Sequence, residues 1–140
     1  DFSRVIRFSG ASLGSFKDLH ETAILNRIFD ALCAAEKLKK NEELKENEGV
    51  FVSAQSFEAY FSSKIQTQTP YLLDKKGQDI RLVTFEPEPL FLLTDHTPMP
   101  RNSKKSLLKS GISAVSVGPT ILHSSQCIAV VLNELDRKSI

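Results

Sequence analysis

The sequence predicts an α/β fold, a mainly parallel sheet flanked by helices, and three observations carry that expectation. Short apolar runs alternate with stretches of helical periodicity along the whole chain. Leu90-Phe91-Leu92-Leu93 is continuously apolar, as a central parallel strand buried on both faces would be. Near the end, a strand over 113–117 meets Gly118-Pro119 before the chain turns helical again. In such folds, a strand ending in a tight glycine loop that feeds a helix is where ligands tend to sit.

Length and composition set the frame. The 140 residues predict a single α/β domain over 1–140. With 41% hydrophobic and 25% charged residues the chain is globular, and its net charge of +1 means that any nucleic acid must be held by a local patch. Cys33 and Cys127 lie far apart in apolar helical patterns, which predicts free, buried thiols and an intracellular, reducing compartment, with cytoplasm and organelle matrix both open. No apolar run approaches the roughly 18 residues that span a bilayer, so no membrane partner is expected. The polar first residues predict no signal peptide, and a lost targeting segment stays open.

Taken in order, residues 2–8 alternate as a first strand, and 9–14 read as a glycine and serine loop. That loop lacks the Lys-Ser/Thr ending of a phosphate-binding loop. Ser15 caps a helix over about 16–38, with Leu25, Ile28, Phe29, Leu32 and Ala35 on one apolar face and His20 at the surface. The charged run 39–48 reads as a helical tail or linker. Val50-Phe51-Val52 is a short buried strand, and Ser53 or Ser56 caps a helix whose Phe57, Tyr60, Phe61 and Ile65 pack into the core. That helix stops before Pro70.

Lys75-Lys76-Gly77-Gln78 then predicts a turn into a strand over 80–85, and Glu86-Pro87-Glu88-Pro89 a stiff exposed connector. After the apolar run 90–93 comes a polar loop, 94–100, with adjacent Asp95 and His96. There is no Gly-x-Ser-x-Gly elbow and no spaced histidine pair, so neither a hydrolase triad nor a metal site is expected. Ser103 caps a short helix, 104–110, that Gly111 ends. The last helix is expected to carry Ile121, Ile128, Leu132 and Leu135 inward. Arg101, Lys104, Lys105 and Lys109 fall within nine residues, in a stretch free of acids between Asp95 and Glu134. This one-signed cluster reads either as a solvated helix face or as a phosphate contact, the RNA-binding site if nucleic acid is the partner.

Residues 90–135 resemble the C-terminal half of the SPOUT RNA methyltransferases, above all the ribosomal RNA uridine-N3 methyltransferases. The resemblance is carried by the apolar strand 90–93, Leu107-Leu108-Lys109-Ser110-Gly111, Val115-Ser116-Val117-Gly118-Pro119-Thr120-Ile121-Leu122 and the helix from Ala129 to Leu135. It implies a C-terminal trefoil knot, an exception to the rule against threaded chains. It also implies S-adenosylmethionine held by Leu93, Thr94, Val117, Gly118, Ile121 and Leu122, ribosomal RNA as partner, and a homodimer or a larger ribonucleoprotein particle.

Departures from the family pattern bear on activity. Its Gly-Pro-Glu-Gly-Gly loop is replaced by Thr94-Asp95-His96-Thr97-Pro98, and its arginine after Ile-Leu by His123. Without glycines a backbone approaches a cofactor less closely. The expectation is therefore a degenerate SPOUT-like domain that binds ribosomal RNA without methyl transfer, with no catalytic residue assigned. The alternatives are an active S-adenosylmethionine-dependent RNA methyltransferase and a protein-interaction module with a Rossmann-like core.

Overall fold

Two three-stranded sheets organise the chain, one antiparallel and one parallel. The computed structural model describes residues 3–13, 20–95 and 97–138. Length alone predicts one domain; the residues group into two compact units, 1–64 and 65–140.

In the first unit, β1 (Val5–Phe8), β2 (Glu43–Asn47) and β3 (Val50–Ser53) pair in the order β1-β3-β2. The run 39–48, expected as a helical tail or linker, thus carries an edge strand. Its turn explains why. Gly49 takes φ 75°, the left-handed conformation a two-residue hairpin turn requires, and Asn47 Oδ1 accepts from Glu48 N at 2.7 Å. Arg7 lies 3.8 Å over the Phe51 ring and reaches Glu43 at 3.4 Å. These cross-strand pairs outweigh the helical propensity of Glu and Lys.

The loop expected at 9–14 contains one helical turn, α1 (Gly10–Leu13), and the proposed cap Ser15 lies outside the described residues. His20 is itself a cap: its Nδ1 accepts from Ala23 N at 3.3 Å and starts α2 (Glu21–Ala34). The inward face of α2 matches the expected one only in part, at Ala35 and half-buried Ile28. Ala31, with Ala35 just beyond the helix, packs on Val50 and Val52, whereas Leu25, Phe29 and Leu32 are exposed, Phe29 by 65%. Two apolar stripes run along this segment, and the one ending in small alanines lets the helix lie close on β3. Cys33 is consequently exposed, not buried, and Cys127 is half-buried; both are free. α3 (Phe57–Lys64) follows, capped by Ser56, whose Oγ accepts from Ala59 N at 3.2 Å.

In the second unit, β4 (Thr69–Asp79) lies between β5 (Pro89–Leu92) and β6 (Ser113–Ser116), all parallel. The strand expected at 80–85 is absent; Ile80–Leu82 forms a 3-10 turn. The central strand starts a residue before Pro70, near the strand end where a missing N–H is tolerated. Residues 90–93, expected to be central, form most of a half-buried edge strand. Leu73 and Gln78 both pair with Val115, so 74–77 leave the ladder between them. Gly77 returns flush against the backbone of Ala114 and Val115, where a Cβ would overlap.

α4 (Arg101–Lys109) starts at a Pro100 cap rather than at Ser103, since proline's fixed φ suits the start of a helix. Gly111, at φ 88°, ends it as expected. α5 (Ser124–Lys138) closes the unit. Its buried residues are Val131 and Glu134, while Ile128 and Leu132, expected inward, are 48% and 55% exposed. Ile121, also expected inward, precedes the helix and is exposed. Lys138 accounts for the rotation. Its Nζ donates to Ile80 O at 3.3 Å, to Arg81 O at 3.2 Å and to Val83 O, and sits 5.2 Å from the Phe85 ring. Beneath it, Tyr71, Phe85 and Phe91 form a core trio with ring centroids 5.0–5.6 Å apart. No helix among the described residues is long and apolar enough to cross a membrane.

Candidate active site

β5 and β6 run parallel to β4 and end near the 74–77 segment in its middle that leaves the ladder. The segments that follow β5 and β6, together with 72–75 of β4, line an open cleft of about 580 Å³, within the range of small-molecule sites. All six residues expected to hold a cofactor line it: Leu93 and Thr94 after β5, and Val117, Gly118, Ile121 and Leu122 after β6.

Local hydrogen bonds set the shape of these loops. Gly118 N donates to Ser116 Oγ at 3.3 Å, and Ser116 Oγ to Gly118 O at 3.0 Å. Gly118 takes φ 147°, a backbone that L side chains rarely adopt, and no atom lies within 4 Å of where its Cβ would be. After β5, Asp95 Oδ1 accepts from Thr97 N at 2.7 Å, so an Asx turn shapes the loop that lacks glycine. Ser124 Oγ donates to Thr94 O at 2.9 Å and ties the start of α5 to that loop. His123 N donates to Gln126 Oε1 at 2.9 Å, the reciprocal half of a capping box.

The wall also holds residues the sequence did not single out for chemistry. Leu72, Leu73 and Asp74 come from β4, Met99 from the loop before α4, and Cys127 from α5. Asp74 forms an ion pair with Lys104 of α4. The signal for the β4 group was present as the apolar triplet Tyr71-Leu72-Leu73 running into an Asp-Lys-Lys-Gly turn.

The four basic residues separate by position. Arg101, Lys105 and Lys109 are exposed and recur every four residues, so they form one stripe on α4, opposite buried Leu107. Lys104 lies on the flank, half-buried, and lines the cavity. Among the described residues no group of three or more His, Cys, Asp or Glu is placed to hold a metal ion.

Fold and cavity together define an α/β protein with a cleft beside its parallel sheet. A family model described as "Putative SAM-dependent RNA methyltransferase" matches residues 1–140, and the chain belongs to that family. It is 40% identical over 136 residues to a "Putative pseudouridine methyltransferase" of Photobacterium profundum, covering 97% of this chain and 69% of that protein. Proteins of the same description from Alcanivorax borkumensis and Shewanella frigidimarina are 39% and 40% identical, each with 97% or more of this chain matched and 68% and 70% of their own length.

Proposed function

We propose that this chain transfers the methyl group of S-adenosylmethionine to a ring nitrogen of pseudouridine in RNA, with the cofactor in the cleft beside the parallel sheet. One observation carries the reading: the segments that follow β5 and β6 converge with the middle of β4 on a single cleft of cofactor size, beside a helix with a basic stripe. The names of the relatives support pseudouridine as the target base.

The residues present suit this cofactor. Leu72, Leu73, Val117, Ile121 and Leu122 offer apolar surface for the adenosine. The open space beside Gly118 lets a ligand approach the backbone without glycines at 94–98. When bound, S-adenosylmethionine supplies an electrophilic methyl group on a sulfonium sulfur. A pseudouridine ring N–H must lose its proton to accept that methyl; the described wall residues that could accept it are the Asp95 carboxylate and the His123 imidazole, with the third such group, Asp74, paired to Lys104. Arg101, Lys105 and Lys109 hold the phosphates of the RNA. A threaded C-terminal segment, implied by the resemblance to SPOUT enzymes, belongs to the same reading. Its support is the Ser124 to Thr94 hydrogen bond, which ties α5 to the loop after β5.

The test pairs calorimetry with S-adenosylmethionine and transfer of labelled methyl into RNA, ribosomal fragments included, carrying either pseudouridine or uridine at one position. Micromolar binding with label in the pseudouridine RNA alone is expected. A chain that binds RNA but no cofactor would instead be the degenerate RNA-holding domain.

A further inference from the structure

We infer that the Asp74–Lys104 ion pair anchors the α-amino acid end of the cofactor, the ammonium on Asp74 and the carboxylate on Lys104. The inference rests on the S-adenosylmethionine site proposed above and assigns a polar subsite within it. Both residues line the cavity, from different elements: Asp74 where β4 leaves the ladder, Lys104 from the second turn of α4.

The pair is held in place and has capacity to spare. Asp74 Oδ1 accepts from Lys76 N at 2.9 Å, and Oδ2 meets Lys104 Nζ. The Asp74 side chain is only 13% exposed, so its orientation is set by the protein. A carboxylate offers about four lone-pair sites and an ammonium three donors. A zwitterion can therefore add its ammonium to Asp74 and its carboxylate to Lys104 while the pair stays intact. Opposite charges then alternate in a ring, the arrangement that best offsets desolvation at a partly covered wall. No side chain caps the first turn of α4, so a ligand carboxylate near Lys104 also lies in the favourable field of that helix end.

The same geometry reassigns Lys104. Its neighbours in sequence, Arg101 and Lys105, lie on the exposed stripe, while Lys104 is turned into the cavity against Asp74. It serves the cofactor, and the stripe serves RNA.

The experiment is calorimetry of the whole chain with two neutral thioethers, S-adenosylhomocysteine and 5′-methylthioadenosine, which differ by the amino acid end. The wild-type chain should prefer S-adenosylhomocysteine clearly. Asp74→Asn and Lys104→Met should each reduce that preference by about tenfold or more, with 5′-methylthioadenosine affinity within about twofold of wild type. Lys104→Arg, which keeps the charge, should restore most of the preference. Retained binding of 5′-methylthioadenosine reports that each variant is folded. Equal losses for both ligands, or an unchanged preference, would overturn the anchor while leaving the cofactor site standing. A wild-type chain that binds neither thioether nor S-adenosylmethionine would overturn the proposed function itself, and the anchor with it.

Discussion

Asp79 caps the 3-10 turn that follows the central strand: its Oδ1 accepts from Arg81 N and from Arg81 Nε, each at 3.0 Å. These hydrogen bonds from Arg81, side chain first and backbone second, lower the Asp79 carboxyl from 3.8 to about 2. A folded-state value below the unfolded one contributes stability that is present above the unfolded pKa and lost as pH falls through the folded one. The window thus runs from about pH 4 down to about 2. Asp79→Asn should flatten the acid fall of the melting temperature there, modestly, because water screens an exposed pair. Thermal melts across that range check it, and an unchanged acid slope in the variant would refute it. At this scale the sequence reveals residue chemistry but not partners. Asp79 and Arg81 are near neighbours, and their pairing is local. Asp74 and Lys104 are thirty residues apart, and nothing in the spacing of either foretells the other.

At the scale of elements, α4 shows how much a short helix can encode. Arg101, Lys105 and Lys109 share a face, and buried Leu107 opposes them. Replacing all three with alanine should weaken RNA binding steeply at low salt. It should also reduce the slope of log affinity against log salt by about 0.7 for each phosphate no longer neutralised. Lys104→Ala should leave the slope nearly unchanged, since that residue faces the cavity. Anisotropy titrations at several salt concentrations distinguish the two, and equal slopes for both variants would sink the division of roles. Other elements were legible where the signal is local. Ser56 caps α3, Gly111 ends α4, and the strand before Gly118 is β6. β2 was not, because its strand character comes from pairing with β3, and β4 was missed because its apolar triplet Tyr71-Leu72-Leu73 is short and the polar run after it reads as a turn. The faces of α2 and α5 were read only in part, with Ala35 and Leu135 inward as expected and most of the other expected residues exposed. Each carries more apolar residues than one face can bury, and packing chooses among them.

At the scale of the whole molecule, α5 exposes an apolar face in the parallel-sheet unit, as α2 does in the other. Ile128 and Leu132 lie one turn apart on the α5 face, about half exposed. The resemblance to SPOUT enzymes implies a dimer, and we propose that this face forms its contact. The wild-type chain should sediment as a dimer, and Ile128→Glu with Leu132→Glu as a folded monomer. A monomeric wild-type chain would refute the contact.

What the sequence alone determined was the local grammar: alternating strands and helices, their caps and glycine stops, and the strand, loop and helix around Gly118. All six expected cofactor residues followed from that grammar and from the resemblance it revealed, and they line one cavity. The tertiary structure alone decided that β4 is central, that a charged run is a strand, and that Lys104 turns to Asp74 instead of joining the basic stripe. The physical reason is one of range. Backbone conformation and amphipathic period are written in neighbouring residues, whereas the choice of partner depends on packing and charge between segments far apart in the chain.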